Sequence, residues 1–161
     1  METNNITEKL RQVIMYTDGS CLNNGNNGTG GYCALLQTPD KSKSKIVKGS
    51  RLDTTNNRME MTAIIEGLRV IKRPSKITIY SDSNITVRAI NEWIEGWQRK
   101  NFKKVANVDL WTEYLEVSSK HKVTAVWIKA HNGQPENVLV DNIAREEALR
   151  RHSKRGVLYG F

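Results

Sequence analysis

The chain is poor in cysteine and proline and has no long apolar run. Its 161 residues include only two cysteines, Cys21 and Cys33, and three prolines. Two cysteines are too few for a disulfide scaffold and lack the spacing of a zinc site, so we expect free thiols in a reducing compartment. Neither the first residues nor any later stretch has the pattern of a signal peptide or a membrane span. We therefore expect a cytoplasmic protein that does not enter a membrane.

Positively charged residues outnumber negatively charged ones. Lys and Arg number 25 against 17 Asp and Glu, which gives a formal net charge of +8. Such an excess favours polyanionic partners such as nucleic acid, although ribosomal, structural and simply soluble proteins can be equally basic. With 38% hydrophobic and 26% charged residues, the composition is that of one soluble globular domain.

Apolar spacing predicts an α/β domain with a five-stranded mixed sheet flanked by helices. The predicted strands are 13–17, 32–37, 45–52, 77–81 and 123–128, and the predicted helices are 57–71, 83–95, 109–119 and 135–152. Three successive strands followed by strand–helix units predict antiparallel pairing first and parallel pairing afterwards. We place this domain at 12–152, between a short N-terminal extension (1–11) and a basic C-terminal tail (153–161).

Four carboxylates stand where acidic residues are unexpected. Asp18 and Asp82 directly follow predicted strands, Glu60 lies on the apolar stripe of the first helix, and Asp141 lies one turn into the last helix. Taken singly, each has a structural explanation as a turn aspartate, an acidic helix start or a solvated position. Taken together, two strand ends and two covering helices can bring them to one point, where only cations would relieve their repulsion.

The ligand chemistry of such a cluster is that of a hard cation. Carboxylate oxygens without a Cys/His cluster suit Mg²⁺ or Mn²⁺ bound jointly with phosphate. The corresponding reaction is metal-assisted phosphoryl transfer, in which two ions clamp an in-line displacement.

Six short motifs resemble those of type 1 ribonuclease H, the bacterial ribonuclease HI family. They are YTDGSC at 16–21, TGGY at 29–32, TTNNRME at 54–60, SDS at 81–83, NVDLW at 107–111, and HNGQPEN at 131–137 with Asp141 beyond it. DGS alone is a weak signal, but TTNNRME between two aspartate-ended strands is highly specific. The resemblance implies the ribonuclease H fold and an endonuclease that hydrolyses the RNA strand of RNA/DNA hybrids, leaving 5′-phosphate and 3′-hydroxyl ends.

The resemblance also implies roles for individual residues. Two Mg²⁺ ions, or Mn²⁺ in their place, would be held by the four catalytic carboxylates Asp18, Glu60, Asp82 and Asp141. His131 matches the family's catalytic loop histidine, which assists product release or relays a proton. The resemblance also implies two groups of substrate-binding residues. The polar group consists of Asn24, Thr55, Asn56, Asn57 and Asn84. The basic, aromatic group consists of Trp93, Arg99, Lys100, Lys103 and Lys104.

Each of these assignments has a structural alternative. Asparagine is a default turn residue, and a run of charges is often a solvated face, which would explain the basic segment 98–104 without a substrate. Trp111 and Trp127 lie on apolar faces of a predicted helix and strand, so we assign both to the core.

Two rival functions stay open. One is a catalytically inactive hybrid-binding protein, and the other is a different nuclease or strand-transfer enzyme of the same superfold. The glycine-rich turn after Asp18 is longer than in familiar members of the family, and the basic segment is shorter and poorer in tryptophan. We expect a monomer that acts on RNA/DNA hybrids without an obligatory protein partner.

Overall fold

The computed structural model describes residues 10–158, so most of the expected N-terminal extension and the last three residues lie outside the described part. The strands in this range are β1 (Arg11–Leu22), β2 (Gly28–Gln37), β3 (Ser44–Thr54), β4 (Ser75–Ser81) and β5 (Lys122–Trp127). The helices are α1 (Asn56–Arg69), α2 (Asn84–Arg88), α3 (Ile94–Arg99), α4 (Val108–Ser118) and α5 (Pro135–Leu158). Across these residues, no helix combines the length and apolar character needed to cross a membrane.

The sheet is mixed, as predicted, and runs in the order β3-β2-β1-β4-β5. β1 pairs antiparallel with β2, and β2 pairs antiparallel with β3. β4 lies parallel to β1 on the other side, and β5 lies parallel to β4 at the edge. β1 is the central strand, and helices pack against both of its faces. Its Met15 and Thr17 are therefore fully buried.

Helix α1 begins where the sequence offers a capping side chain. The Thr55 hydroxyl accepts a hydrogen bond from the Arg58 backbone N–H at 3.2 Å, which satisfies one of the free donors of the first turn. The apolar stripe of α1 then packs on the sheet through fully buried side chains such as Ile64 and Leu68. Glu60 shares this buried face, as its position on the stripe predicts.

Helix α5 packs on the opposite face of the sheet, across β1 and β2. Its contact residues are small or β-branched, and Val140, Ala144 and Ala148 are fully buried. Gly31 of β2 faces this helix, where an added Cβ atom would lie 2.1 Å from the Ala144 carbonyl oxygen. The absence of a side chain at Gly31 therefore allows the helix to lie directly on the strand.

The helix predicted over 83–95 is present, but it is not regular: helical structure runs from Asn84 to Arg99 and contains a π-helical turn. α2 ends at Arg88, a π-helical turn spans Ala89–Trp93, and α3 follows. The turn places Asn91 against the edge strand, where its amide donates to the Ala125 carbonyl oxygen at 2.7 Å and accepts from the Ala125 N–H at 3.1 Å. This pairing satisfies backbone groups of β5 that an edge strand would otherwise leave open, and π turns arise at such constrained positions.

Two further expectations change. Trp111 is buried as expected, at 5% exposed, but Trp127 is 50% exposed, because it ends the edge strand β5 rather than lying in the core. Helix α5 also continues to Leu158, so part of the expected C-terminal tail is helical.

We expect Gly31→Ala to lower the free energy of unfolding by about 2 to 3 kcal/mol or more, because the new Cβ atom would meet helix backbone that cannot move aside. Urea unfolding followed by circular dichroism would measure the change. Gly96→Ala is the matched control: its Cβ would have 3.6 Å to the nearest atom, a mobile Arg99 nitrogen, so it should stabilise the protein by a few tenths to about 1 kcal/mol. Equal stability of both variants would contradict this packing account.

Candidate active site

Two neighbouring strands and a helix bring three of the predicted carboxylates together. The parallel pairing of β1 with β4 ends at Thr17 and Ser81, and Asp18 and Asp82 are the next residues of their chains. β1 itself continues to Leu22 along β2, so Asp18 does not end a strand as predicted; it directly follows the end of the β1–β4 ladder. Backbone pairing between the two strands therefore stops where the two acids follow.

Helix α1 contributes the third carboxylate. Gly19 allows the close approach, because a Cβ atom there would lie 2.5 Å from the Glu60 backbone nitrogen. The result is a group in which one carboxylate oxygen each of Asp18, Glu60 and Asp82 lies within 4.8 Å of the others. We call this group the carboxylate cluster.

The cluster is largely withdrawn from water. Asp18 is 3% exposed and Glu60 is 9% exposed, whereas Asp82 is half-buried. The Gly19 backbone N–H donates to Asp18 Oδ1 at 2.8 Å. Glu60 Oε2 is buried without a hydrogen-bond partner, which is unusual for a carboxylate oxygen. A cation would supply the missing partner.

Burial and mutual repulsion shift the titration of all three acids in the same direction. The pKa of Asp18 is raised to about 7: desolvation is the largest cause, a hydrogen bond with Glu60 opposes it, and the negative charge of Asp82 adds to the rise. Desolvation, followed by the charge of Asp18, raises the pKa of Glu60 well above its usual range. Desolvation and the charge of Asp141 raise the pKa of Asp82. The folded protein therefore resists carrying three negative charges here unless a cation compensates them.

Asp141 lies at the rim of the cluster rather than within it. It projects from α5 and forms a two-point ion pair with Arg145, one helical turn further on, at 3.2 Å (Nε to Oδ1) and 2.9 Å (Nη2 to Oδ2). Its charge still contributes to the raised pKa of Asp82, so it lies within electrostatic reach. The sequence predicts Asp141 as a fourth converging carboxylate; in the structure it lies outside the group of three acids and carries a cationic partner that the prediction did not include.

His131 occupies the loop between β5 and α5. It is exposed, has a left-handed backbone (φ 56°), and its charge lowers the pKa of Asp82, which places it beside the cluster. The same loop ends where Gln134 Oε1 accepts from the Asn137 backbone N–H at 2.6 Å and so caps α5. The loop histidine is thus carried on a segment whose end is fixed to the helix of Asp141.

The predicted polar substrate residues surround the start of α1 and α2. Asn24 Oδ1, from the glycine-rich turn, accepts from the Asn56 backbone N–H at 3.0 Å, next to the capping residue Thr55. Asn57 and Asn84 are exposed in the first turns of α1 and α2. The longer turn is therefore attached to the helix that carries Glu60, a contact that local sequence patterns do not reveal.

The predicted basic group forms an exposed turn beyond α3. The cations Arg99, Lys100, Lys103 and Lys104 are all exposed. The turn is held by Phe102, whose backbone N–H donates to the Trp97 carbonyl oxygen at 2.7 Å. A groove of about 250 Å³ runs beside it and is lined by Asn57, Trp93 and Lys104 among others. The groove therefore joins one predicted polar residue, Asn57, with two members of the basic, aromatic group, Trp93 and Lys104.

Sequence reasoning missed two residues that touch the candidate catalytic aspartates. Arg145 pairs with Asp141, and its spacing of four residues along a helix is a signal that could have identified it. Trp127 donates its indole Nε1–H to the Asp82 carbonyl oxygen at 3.2 Å. That contact depends on the register of β5 against β4 and has no local signal.

We expect Asp18→Asn to make the metal-free protein more stable at pH 8 by about 1 to 3 kcal/mol. The folded-state pKa of Asp18, about 7, exceeds its ordinary value of 3.8. Between these values the folded chain binds more protons than the unfolded chain, so the free energy of unfolding falls as pH rises, and the full penalty is present above pH 7. Urea unfolding in a chelator at pH 4 and pH 8 measures this, and the gain should shrink towards pH 4. A variant less stable than the parent at pH 8 would contradict the assigned repulsion.

Comparison with known proteins agrees with this geometry. The RNase H family model matches residues 10–149. Ribonuclease HI of Helicobacter pylori (strain ATCC 700392 / 26695) is 51% identical over 142 residues, which are 88% of this chain and 96% of that protein. Ribonuclease H of Campylobacter jejuni subsp. jejuni (serotype O:23/36, strain 81-176) is 48% identical over 141 residues, 88% of this chain and 94% of that one.

A solved structure extends the similarity to three dimensions. The crystal structure of LC9-RNase H1, described as a type 1 RNase H with the type 2 active-site motif, matches with a TM-score of 0.78 at 27% identity and covers 86% of this chain and 72% of that chain. The family match spans the whole sheet, the carboxylate cluster and most of α5. On these grounds the chain belongs to the ribonuclease H family, in its bacterial ribonuclease HI group.

Proposed function

We propose that this ribonuclease H cleaves the RNA strand of RNA/DNA hybrids with two Mg²⁺ ions held by its acidic residues. The observation that carries the proposal is the carboxylate cluster: three acids share a space of 4.8 Å at the end of the central strand pair. Their oxygens are the ligands that hard divalent cations prefer, and Glu60 Oε2 lacks any other partner. Mn²⁺ has the same ligand preference and is the expected substitute.

In this proposal, the acidic residues would hold the metal ions, and His131 would handle protons and the product. Asp18, Glu60 and Asp82 would hold cations from rigid secondary structure, and Asp141 would add a ligand from the rim. Bound ions of this kind activate a water molecule and stabilise the leaving oxygen. His131 is exposed on its loop and acts electrostatically on Asp82. It would take up or deliver a proton and assist departure of the product.

Recognition of the hybrid would come from the polar residues around the starts of α1 and α2 and from the basic segment. An RNA/DNA hybrid displays 2′-hydroxyls on one strand only, across a shallow minor groove, and the short amides Asn24, Asn56, Asn57 and Asn84, with the Thr55 hydroxyl, suit that surface. The four cations of the basic segment would contact phosphates of the DNA strand, and Trp93 would pack against its sugars or bases.

The alternative function, an inactive protein that only binds hybrids, does not explain the carboxylate cluster. A protein selected only to bind a polyanion gains nothing from buried acids whose pKa values are raised by repulsion. The expected monomeric state, the lack of an obligatory partner and the cytoplasmic location stay predictions.

Asp18→Asn should abolish Mg²⁺-dependent cleavage, by at least about 100-fold, while hybrid binding measured without metal stays within about threefold. Asn keeps the size of the side chain but offers a neutral, weaker ligand. Cleavage of a labelled hybrid and a gel-shift or anisotropy titration provide the two readouts. Glu116→Gln, which removes an exposed acid of α4, is the matched control and should cleave normally. Equal cleavage by the Asp18→Asn variant and the parent would overturn the metal assignment.

Neutralising the four cations of the basic segment, Arg99, Lys100, Lys103 and Lys104, to Gln should flatten the salt dependence of hybrid binding. Each phosphate contact that is lost reduces the slope of log K against log salt by roughly one unit. The control removes four exposed cations at the opposite end of the sheet: Lys72, Arg73, Lys76 and Lys120. Both variants lose the same net charge, so a slope that falls equally in both would show a general charge effect and not a phosphate contact.

A further inference from the structure

We propose that Trp127 is a positioning residue for the reaction, because its indole N–H fixes the peptide group that carries Asp82. The inference rests on the proposed function, since it concerns how one acid of the carboxylate cluster is held. It gives a role to a tryptophan that the sequence pattern placed in the core and the structure places at the surface.

The geometry begins with the end of the β4–β5 ladder. Ser81 and Trp127 are the last register pair of the two strands, and the Ile128 backbone N–H donates to the Ser81 carbonyl oxygen at 2.9 Å. Asp82 is the next residue and lies beyond the ladder. Its carbonyl oxygen accepts from Trp127 Nε1 at 3.2 Å. The Trp127 side chain thus adds one hydrogen bond between β5 and the end of β4, beyond the last backbone pair.

The residues on either side of Asp82 are fixed independently. The Ser83 backbone N–H donates to Ser81 Oγ at 3.1 Å, and Ser83 Oγ caps α2 by accepting from the Thr86 N–H at 3.4 Å. Neither of these bonds involves the Asp82 carbonyl oxygen. Trp127 therefore holds a group that these two bonds do not reach, and that group belongs to the residue that bears the candidate catalytic carboxylate.

Burial does not account for the tryptophan at this place. Trp127 is 50% exposed, whereas Trp111, which packs in the core, is 5% exposed. A residue retained for packing alone would place its indole inside. At position 127 the polar edge of the ring makes the specific contact, and phenylalanine would provide a similar apolar surface without the donor.

The size of the effect follows from the loss of one neutral hydrogen bond. Such a bond is worth about 1 kcal/mol, which corresponds to about a fivefold change in a rate or an equilibrium. A carboxylate held less rigidly should affect the chemical step and metal affinity, since both depend on ligand placement. It should leave the affinity for the hybrid unchanged, because Trp127 contacts Asp82 through the backbone.

The kinetic test compares Trp127→Phe with the parent. We expect kcat for hybrid cleavage to fall about fivefold, KM for the hybrid to stay within twofold, and half-maximal activity to require more Mg²⁺. Val126→Thr is the matched control, because it changes the neighbouring exposed side chain of β5 while keeping its shape, and it should behave as the parent. An unchanged kcat in Trp127→Phe would overturn the inference, and so would a raised KM with unchanged kcat, which would make Trp127 a substrate contact instead.

A spectroscopic test uses the unaltered chain and does not depend on activity. The four tryptophans give four indole N–H signals in a ¹H–¹⁵N spectrum, and the signal missing from Trp127→Phe identifies Trp127. On addition of MgCl₂ this signal should shift, while that of the core residue Trp111 stays in place. A Trp127 signal that does not respond while the Asp82 amide does would contradict the inference alone. A parent protein that neither cleaves hybrids nor responds to Mg²⁺ would contradict the proposed function as well.

Discussion

The mutual repulsion of buried carboxylates is the constraint on which the rest of this structure depends. Asp18, Glu60 and Asp82 would separate or take up protons in a less rigid protein. Here each is attached to an element that cannot easily move: the central strand, a helix pressed against it at Gly19, and the strand end beside it. The fold holds these acids in an electrostatically unfavourable arrangement, and a divalent cation bound between them would offset their repulsion.

The candidate catalytic acids and the candidate hybrid contacts lie on different kinds of structure. The acids are carried by the sheet and by helices with fully buried faces, whereas the candidate hybrid contacts lie on turns and helix starts that are exposed. Left-handed residues such as Phe102 and Lys104 shape the basic turn, and Asn24 joins the glycine-rich turn to α1. In the proposed function, the chemistry therefore rests on rigid elements and recognition rests on exposed turns and helix starts.

The sequence predicted the acids better than it predicted their surroundings. Glu60 was identifiable because helical periodicity alone places it on the buried stripe of α1, and the strand–aspartate pattern marked Asp18 and Asp82. The π-helical turn at Ala89–Trp93, the continuation of β1 past Asp18 and the exposure of Trp127 were not predictable. Each depends on contacts between elements: the π turn on the pairing of Asn91 with Ala125, β1 on its ladder with β2, and Trp127 on the edge position of β5. Local periodicity carries no information on such contacts.

The central claim is that a divalent cation at the carboxylate cluster makes this chain cut RNA paired with DNA. The most direct measurement incubates the purified protein with three end-labelled substrates of one sequence, an RNA/DNA hybrid, duplex RNA and duplex DNA, with MgCl₂ or with a chelator. The account predicts cleavage of the RNA strand of the hybrid alone, only with Mg²⁺, leaving 3′-hydroxyl ends. Cleavage in the chelator, or equal cleavage of duplex RNA or duplex DNA, would contradict it.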